Sequence, residues 1–293
     1  MTLANLVGSF RRSDWVLIGY FVYVACLPPF FPDRPHLHFQ PFLIAVGVFT
    51  LLLLLAYGEQ TRWATAVGML RDWIPILLTL VAFQEMEIFL PRRFDHQLES
   101  AWIRQDILLL GQWHLRALIE SLGVVLPYYL EFCYLVVYGL GACCVGVLYA
   151  TGNRRSIDAF FTFYLAGTLG AYALFPFFPS EPPRLLYPTA VIPTISTWVR
   201  ILNLWILKKG TIHVGVFPSA HVSSAFAAAW GMFFVLPRRR IAWVLLVYAL
   251  SVSLSTIYGR YHYTADVLAG ISISVLAGAI CWWALSRRSR PIR

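Results

Sequence analysis

Long apolar runs with almost no charge recur along this chain and constrain its fold more than any other feature. The sequence has 293 residues, of which 59% are hydrophobic and 13% are charged. A soluble domain usually carries about 25% charged residues. A run of about 20 uncharged residues is long enough to cross a bilayer as a helix. We therefore expect an all-α, polytopic transmembrane helical bundle.

The apolar runs predict about eight membrane spans. They cover residues 15–30, 41–57, 72–90, 128–150, 158–178, 219–236, 241–258 and 264–285. No internal repeat and no soluble domain interrupts them, so residues 1–293 are expected to form a single membrane domain. Within it, residues 1–127 would hold the N-terminal spans with an interfacial segment, and residues 128–293 the catalytic helical core.

Two longer connections are predicted to lie along the membrane surface as interfacial helices. The first, residues 91–127, mixes charges with tryptophans and leucines. The second, residues 191–209, has apolar side chains at helical spacing: Ile195, Trp198, Val199, Leu202, Trp205 and Ile206. Arg200 and Asn203 lie off that stripe, as expected for an amphipathic helix in the interface. A ninth span is the alternative, which Pro193 and the two polar residues disfavour.

The basic residues predict the orientation of the chain. With eight spans both termini share one side, and that side has short, arginine-rich loops and tails. They contain Arg11, Arg12, Arg62, Arg71, Arg154, Arg155, Arg238, Arg239, Arg240, Arg287, Arg288, Arg290 and Arg293. The positive-inside rule makes this side cytoplasmic. The net charge of +9 is thereby explained without a nucleic-acid partner.

A histidine and an aspartate four residues apart mark the start of the last span. On a helix His262 and Asp266 lie on one face, one turn apart. Asp266 can accept a hydrogen bond from one imidazole nitrogen and leave the other free to attack. The alternative is a structural His–Asp pair at the helix end, because charged residues entering a membrane must be used or paired.

A second polar motif, Pro218-Ser219-Ala220-His221, opens the sixth span. The free N–H groups and the positive dipole end of a helix start make an anion pocket. Ser219 adds a donor and His221 lies in the first turn. A capping serine beside an interfacial histidine is the alternative. Because both motifs emerge at the same non-cytoplasmic face (periplasmic, extracellular or lumenal), together they indicate phosphoester chemistry.

The two motifs resemble the second and third signature motifs of the type 2 phosphatidic acid phosphatase superfamily. The His-Tyr-Thr-x-Asp-Val pattern at residues 262–267 is most similar to the branch that contains inositol phosphorylceramide synthase and sphingomyelin synthase. Residues 178–184 resemble the first motif of that branch. The resemblance covers roughly residues 158–285 and implies a six-helix, phosphatase-type core.

The chain departs from the phosphatase pattern at four positions, one of which is Leu185, where the first motif has proline. Ala220 stands where the second motif has glycine, Phe177 where the first has lysine, and Thr256 where the third has arginine. The resemblance therefore implies a phosphate cradle that uses Arg184 and Arg260 in a different arrangement.

The resemblance also implies a mechanism. His262, polarised by Asp266, attacks phosphorus and forms a phosphohistidine, while His221 protonates the leaving oxygen. The phosphoryl oxygens would be held by Arg184, Arg260, Ser219 and the backbone at Ala220. Water or a lipid alcohol is then the acceptor for a lipid phosphoester substrate. No metal and no cofactor are expected.

Three acids near the outer ends of the third and fourth spans are candidates for an acceptor or headgroup pocket: Glu85, Glu87 and Glu131. Acids inside a membrane are costly enough to indicate function, although pairing with Arg92, Arg93 or Arg104 is an equal alternative. The alternative for the whole chain is a non-catalytic or transport protein whose His–Asp pair is a relay or clamp. His221, beside an anion-binding helix start, argues against it.

Overall fold

The computed structural model describes residues 7–31, 39–89, 95–210, 212 and 215–288. Every regular element in these ranges is a helix, which confirms the all-α class. The first five main helices are α1 (Arg12–Ala25), α2 (Gln40–Gly58), α3 (Ala64–Glu85), α4 (Gln97–Asp106) and α5 (Leu115–Ser121). They are followed by α6 (Val125–Val136), α7 (Leu140–Ala150), α8 (Ile157–Tyr172), α9 (Pro183–Leu186), α10 (Trp198–Gly210), α11 (Ala220–Val235), α12 (Arg240–Tyr258) and α13 (Thr264–Arg288).

Six helical stretches among the described residues are long and apolar enough to cross a bilayer, as an integral membrane protein requires. They are Arg12–Phe30, Gln40–Gly58, Ala64–Phe89, Val125–Ala150, Arg240–Tyr258 and Thr264–Arg287. The other two predicted spans correspond to α8 and α11, which have 16 residues each. Most side chains of these two shorter helices are buried, because the longer helices surround them.

Two glycines bring the central helices unusually close together. A Cβ atom on Gly167 of α8 would lie 2.6 Å from the Cβ of Ala227 in α11. A Cβ atom on Gly270 of α13 would lie 2.5 Å from the carbonyl oxygen of Ser219, at the start of α11. Only glycine allows such approaches. The beginnings of α11 and α13, which carry the two histidine motifs, therefore meet.

The third span begins earlier than predicted. Helix α3 starts at Ala64, whereas the prediction was 72–90, so Arg71 lies inside a helix and not in a cytoplasmic loop. Its side chain is 1% exposed and pairs with Asp14 and Glu59. Paired in this way, the charge is tolerated within an apolar helix, which is why composition alone misplaced the boundary.

Further ion pairs surround Arg71 at the same end of the bundle. Arg11 contacts Glu59 at 2.5 Å and Asp72 at 2.7 Å, and Arg154 contacts Asp72 at 2.7 Å. We call this set the ion-pair knot, defined by Arg11, Asp14, Glu59, Arg71, Asp72 and Arg154. It joins α1, the α2–α3 turn, α3 and the α7–α8 turn.

The predicted surface segments are helical. Within 91–127, α4 runs into a π-helix at Ile107–Gln112 and is followed by α5. In α10, Trp198 and Trp205 are exposed, as suits an interfacial helix, but Asn203 is fully buried. Asn203, which was expected off the apolar stripe, faces the protein, where its amide donates to the buried carboxylate of Glu131 on α6.

Candidate active site

His262 lies in the short connection between α12 and α13. Its Nδ1 is 2.9 Å from the carbonyl oxygen of Val216 and 3.3 Å from Oδ2 of Asp266. A carbonyl oxygen can only accept, so Nδ1 carries the hydrogen and Nε2 keeps its lone pair. The structure brings His262 and Asp266 together as predicted, although His262 precedes α13 and the two do not share a helix face; it also adds Val216, which carries no sequence signal.

Asp266 connects the two histidine motifs. Its side chain is fully buried, and Oδ2 also accepts a 2.9 Å hydrogen bond from the amide of Tyr263. Its backbone carbonyl accepts a 2.9 Å hydrogen bond from the amide of Ser219. The residue that orients His262 therefore also holds the start of α11.

His221, in the first turn of α11, faces His262 directly. Its Nδ1 lies 3.4 Å from Nε2 of His262. Burial, the neighbouring His221 and the cation of Arg184 lower the pKa of His262 well below its ordinary value of 6.5. The His262 imidazole is consequently neutral at physiological pH, and the nitrogen with the lone pair points at the second histidine.

Arg184 brings a positive charge into the same pocket. Its amide donates to the carbonyl of Arg260 at 3.2 Å, and its guanidinium donates to the carbonyl of Tyr261 at 3.4 Å. No carboxylate pairs with it among the described residues. Burial lowers the pKa of the Arg184 guanidinium, but arginine remains protonated in proteins. An unneutralised cation beside two histidines is a site for an anionic group.

Arg260, predicted to bind phosphate, is placed elsewhere. Its side chain is buried, and Nη1 lies 2.5 Å from Oδ2 of Asp106. Oδ1 of Asp106 accepts from the amide of Thr264 at 3.0 Å and from its hydroxyl at 2.7 Å. Arg260 does not line the pocket. A fully buried guanidinium needs a carboxylate, so Arg260 fastens the end of α4 to the start of α13.

Ser219 and Ala220 take different positions at the start of α11. Ser219 is fully buried, and its hydroxyl accepts the amide of Val222 at 3.4 Å, so it caps the helix and lies outside the pocket. This supports the capping alternative over a phosphate contact. Ala220 lines the pocket, and its amide belongs to the first turn, whose N–H groups have no partner within a helix.

The three predicted headgroup acids do not line the pocket. Glu131 is buried and fully engaged by side chains of its own chain. Glu85 is buried, and neither of its carboxylate oxygens has a partner among the described residues. Glu87 is exposed in the turn after α3. Gln84, the neighbour of Glu85, does line the pocket.

The pocket itself has a volume of about 250 Å³. His221, His262 and Arg184 lie at one end, and its α3 wall runs from Gln84 back to Ile76. At 1.5 Å per residue, that wall extends about 12 Å along the span. A phosphorylated headgroup at the histidines can therefore continue into an apolar chain inside the bundle.

Sequence reasoning missed several tyrosines that shape this pocket. Tyr134, Tyr138 and Tyr261 line it beside His221. The available signal was spacing: Glu131, Tyr134 and Tyr138 recur at three and four residues, which places them on one helix face. Within the described part of the chain, no group of three His, Cys, Asp or Glu side chains is arranged to hold a metal ion.

Comparison with known proteins identifies relatives of this chain. A family model described as the PAP2 superfamily matches residues 105–280. Undecaprenyl-diphosphatase BcrC from Bacillus subtilis is 34% identical over 62 residues, covering 21% of this chain and 31% of that protein. A PA-phosphatase related-family protein from Dictyostelium discoideum is 33% identical over 61 residues, 21% of this chain and 11% of that protein. The chain thus aligns with less than a third of either relative, and no solved structure matches it.

Proposed function

Because this chain belongs to the PAP2 superfamily, we propose that it is an integral-membrane lipid phosphatase or phosphotransferase acting through a phosphohistidine. The observation that carries the proposal is the pair of facing imidazoles, 3.4 Å apart, beside the unneutralised cation of Arg184. Both relatives are named as phosphatases, which supports phosphoester hydrolysis as the reaction class.

In the proposed first step, Nε2 of His262 attacks phosphorus and the bond from phosphorus to the leaving oxygen breaks. That oxygen takes the electron pair and receives a proton from His221. Arg184 and the first-turn amides of α11 stabilise the non-bridging oxygens. Because 3.4 Å leaves no room for a phosphoryl group between the two nitrogens, the distance between the rings must widen when substrate enters.

In the second step, His221 removes a proton from the acceptor, whose oxygen attacks the phosphohistidine and frees His262. Water as acceptor gives a phosphatase, and a lipid or polyol alcohol gives a transferase. The phosphatase names of the relatives favour water. The His-Tyr-Thr-x-Asp pattern, which resembles inositol phosphorylceramide synthases, favours an alcohol. Neither Glu85, Glu87 nor Glu131 supports an acceptor site at the pocket.

An outward-facing site is part of the proposal. Gln84 and Tyr172, near the ends of α3 and α8, line the pocket, whereas Arg71 lies in the first half of α3 and Arg154 lies just before α8. The positive-inside rule assigns the arginine-rich end to the cytoplasm. The histidines would then act on lipids of the opposite leaflet.

The test uses purified full-length protein and labelled phospholipids, with and without candidate alcohols, and identifies the products by mass spectrometry. We expect release of a phosphorylated or transferred headgroup, inhibition by vanadate and an acid-labile phosphoenzyme. His262→Ala should slow turnover at least about 10⁴-fold, as removal of a covalent nucleophile does. The control is His114→Asn, which changes an exposed histidine that is distant from His262 in the sequence.

Two results would reject this function. One is an undiminished reaction in His262→Ala. The other is a wild-type protein that neither converts any phosphoester lipid nor binds vanadate, which would favour the relay or clamp alternative.

A further inference from the structure

We propose that Glu131 is a positioning residue that fixes the ring of His221 through Tyr261 and Tyr134, and so makes the interfacial helix α10 part of the reaction centre. The inference rests on the proposed function, because it assigns a support to the general acid named there. Glu131 does not touch the pocket and acts only through these neighbours.

The carboxylate of Glu131 collects donors from two other elements. It is 1% exposed, and it accepts from Arg200 Nη1 at 2.8 Å, Asn203 Nδ2 at 2.8 Å and the Tyr261 hydroxyl at 2.6 Å. The first two donors belong to α10, and the third belongs to the connection that contains His262. A buried carboxylate is tolerated only with such partners, so α6, α10 and this connection are held in one arrangement.

Backbone contacts reinforce the same junction. Nδ2 of Asn203 also donates to the carbonyl of Glu131 at 2.9 Å. Nη1 of Arg200 also donates to the carbonyl of Gly259 at 3.1 Å. The two polar residues of α10 thus bind both the helix that carries Glu131 and the backbone three residues before His262.

A stack of aromatic rings leads from this carboxylate to His221. Tyr261 stacks on Tyr134 with ring centroids 3.8 Å apart and an interplanar angle of 14°. Tyr134 in turn stacks on His221 at 5.1 Å and 29°. Tyr138 meets the imidazole edge-on at 5.3 Å, and its hydroxyl donates to that of Tyr134 at 3.3 Å. The His221 ring is therefore set by two tyrosines, one of which Glu131 secures through Tyr261.

The position of His221 matters only for steps that need its proton. An alcohol is a poor leaving group and needs protonation as the bond breaks. A phenol has a pKa of about 10, so an aryl ester depends far less on the acid. A displaced His221 should therefore slow alkyl phosphoesters much more than aryl phosphoesters, whereas general destabilisation slows both equally.

The experiment measures release of the leaving group in a single turnover by full-length protein, from a long-chain alkyl phosphate and from an aryl phosphate. The variants are Glu131→Gln and Tyr134→Leu, with His221→Ala as the benchmark. We expect the alkyl ester to slow about 10²-fold, the effect of misplacing a group by about 1 Å. The aryl ester should slow by less than about 10-fold. Tyr134→Phe keeps the ring stack and should return the ratio of the two rates toward that of wild type.

Equal slowing of both esters in Tyr134→Leu would overturn the proposal, as would no slowing of the alkyl ester. If Glu131→Gln fails to fold, Tyr261→Phe decides the matter by the same ratio of rates, because it removes the hydroxyl that donates to Glu131 and keeps the ring that stacks on Tyr134. A failure of the proposed function shows itself differently: His262→Ala would then release both leaving groups at the wild-type rate.

Discussion

At the histidine end of the bundle, a pocket-facing arginine lacks the carboxylate partners that the arginines of the ion-pair knot have at the other end. In the ion-pair knot, Arg71 has two carboxylate partners, Arg11 has two and Arg154 has one. At the histidine end, Arg184 has none among the described residues and faces the pocket. A buried charge without a partner is costly. The paired end therefore stabilises the bundle, while the unpaired cation is where, under the proposed function, a phosphoryl group would supply the negative charge.

The contrast is sharpest at the histidine end itself, where Arg260 and Arg184 are close in space. Arg260 is neutralised by Asp106 and has no access to the pocket. The amide of Arg184 donates to the carbonyl of Arg260, whereas its guanidinium, within the described part of the chain, contacts a backbone carbonyl and the face of Tyr261 and no carboxylate. Neighbouring arginines thus serve different purposes, which their shared charge does not reveal.

The largest expected effect falls on the paired end. Arg71→Met removes the cation that pairs with Asp14 and Glu59 and leaves these carboxylates without that partner. We therefore expect a loss of about 3–5 kcal/mol in the free energy of unfolding. The thermal midpoint in detergent should fall, while kcat/KM of the folded fraction should stay the same. Arg62→Met, at an exposed arginine over Trp63, is the matched control. An unchanged midpoint would mean that the knot does not stabilise the bundle.

The unpaired end should show the reverse pattern. Arg184→Gln should lower kcat/KM about 10²-fold to 10³-fold, the usual cost of removing one group that stabilises a developing charge. Its thermal midpoint should not fall, because a half-buried cation without a carboxylate partner contributes little stability. Arg116→Gln, at an arginine that donates to the carbonyl of Ile192, serves as control. A stability loss as large as that of Arg71→Met would break the comparison.

The close approach of α13 to α11 gives the next effect. Gly270→Ala would place a Cβ atom 2.5 Å from the Ser219 carbonyl, so the two helix starts must separate. Displacing His221 from His262 by about 1 Å should reduce kcat about 10²-fold. Gly146→Ala is the control, because nothing lies within 4 Å of a Cβ atom there. Equal kcat values for the two variants would show that the helix starts need not touch.

The smallest expected effect concerns the imidazole of His262, which should not gain a proton in the pH range in which an unfolded histidine does. The pKa of His262 is lowered well below 6.5, so its imidazole should stay neutral as pH falls past the value at which an unfolded histidine gains a proton. Proton uptake by the unfolded chain alone then favours unfolding as the pH drops below about 6.5. In protein labelled with ¹³C-histidine, the His262 resonance is identified as the one that is missing from the spectrum of His262→Ala. Its chemical shift should keep the value of a neutral imidazole from about pH 8 to about pH 6. A midpoint near pH 6.5 would contradict the buried environment.

The sequence alone determined the helical class, the membrane character and the identity of the facing histidines. Apolar run length fixes the first two, because a bilayer accepts few other structures. A spacing of four residues is local geometry, so the contact between His262 and Asp266 followed directly. Only the tertiary structure decided which side chains pack against Arg184, Arg260, Glu131 and Asn203. Whether a buried charge is neutralised depends on which distant side chain packs against it, and no local pattern encodes that partner.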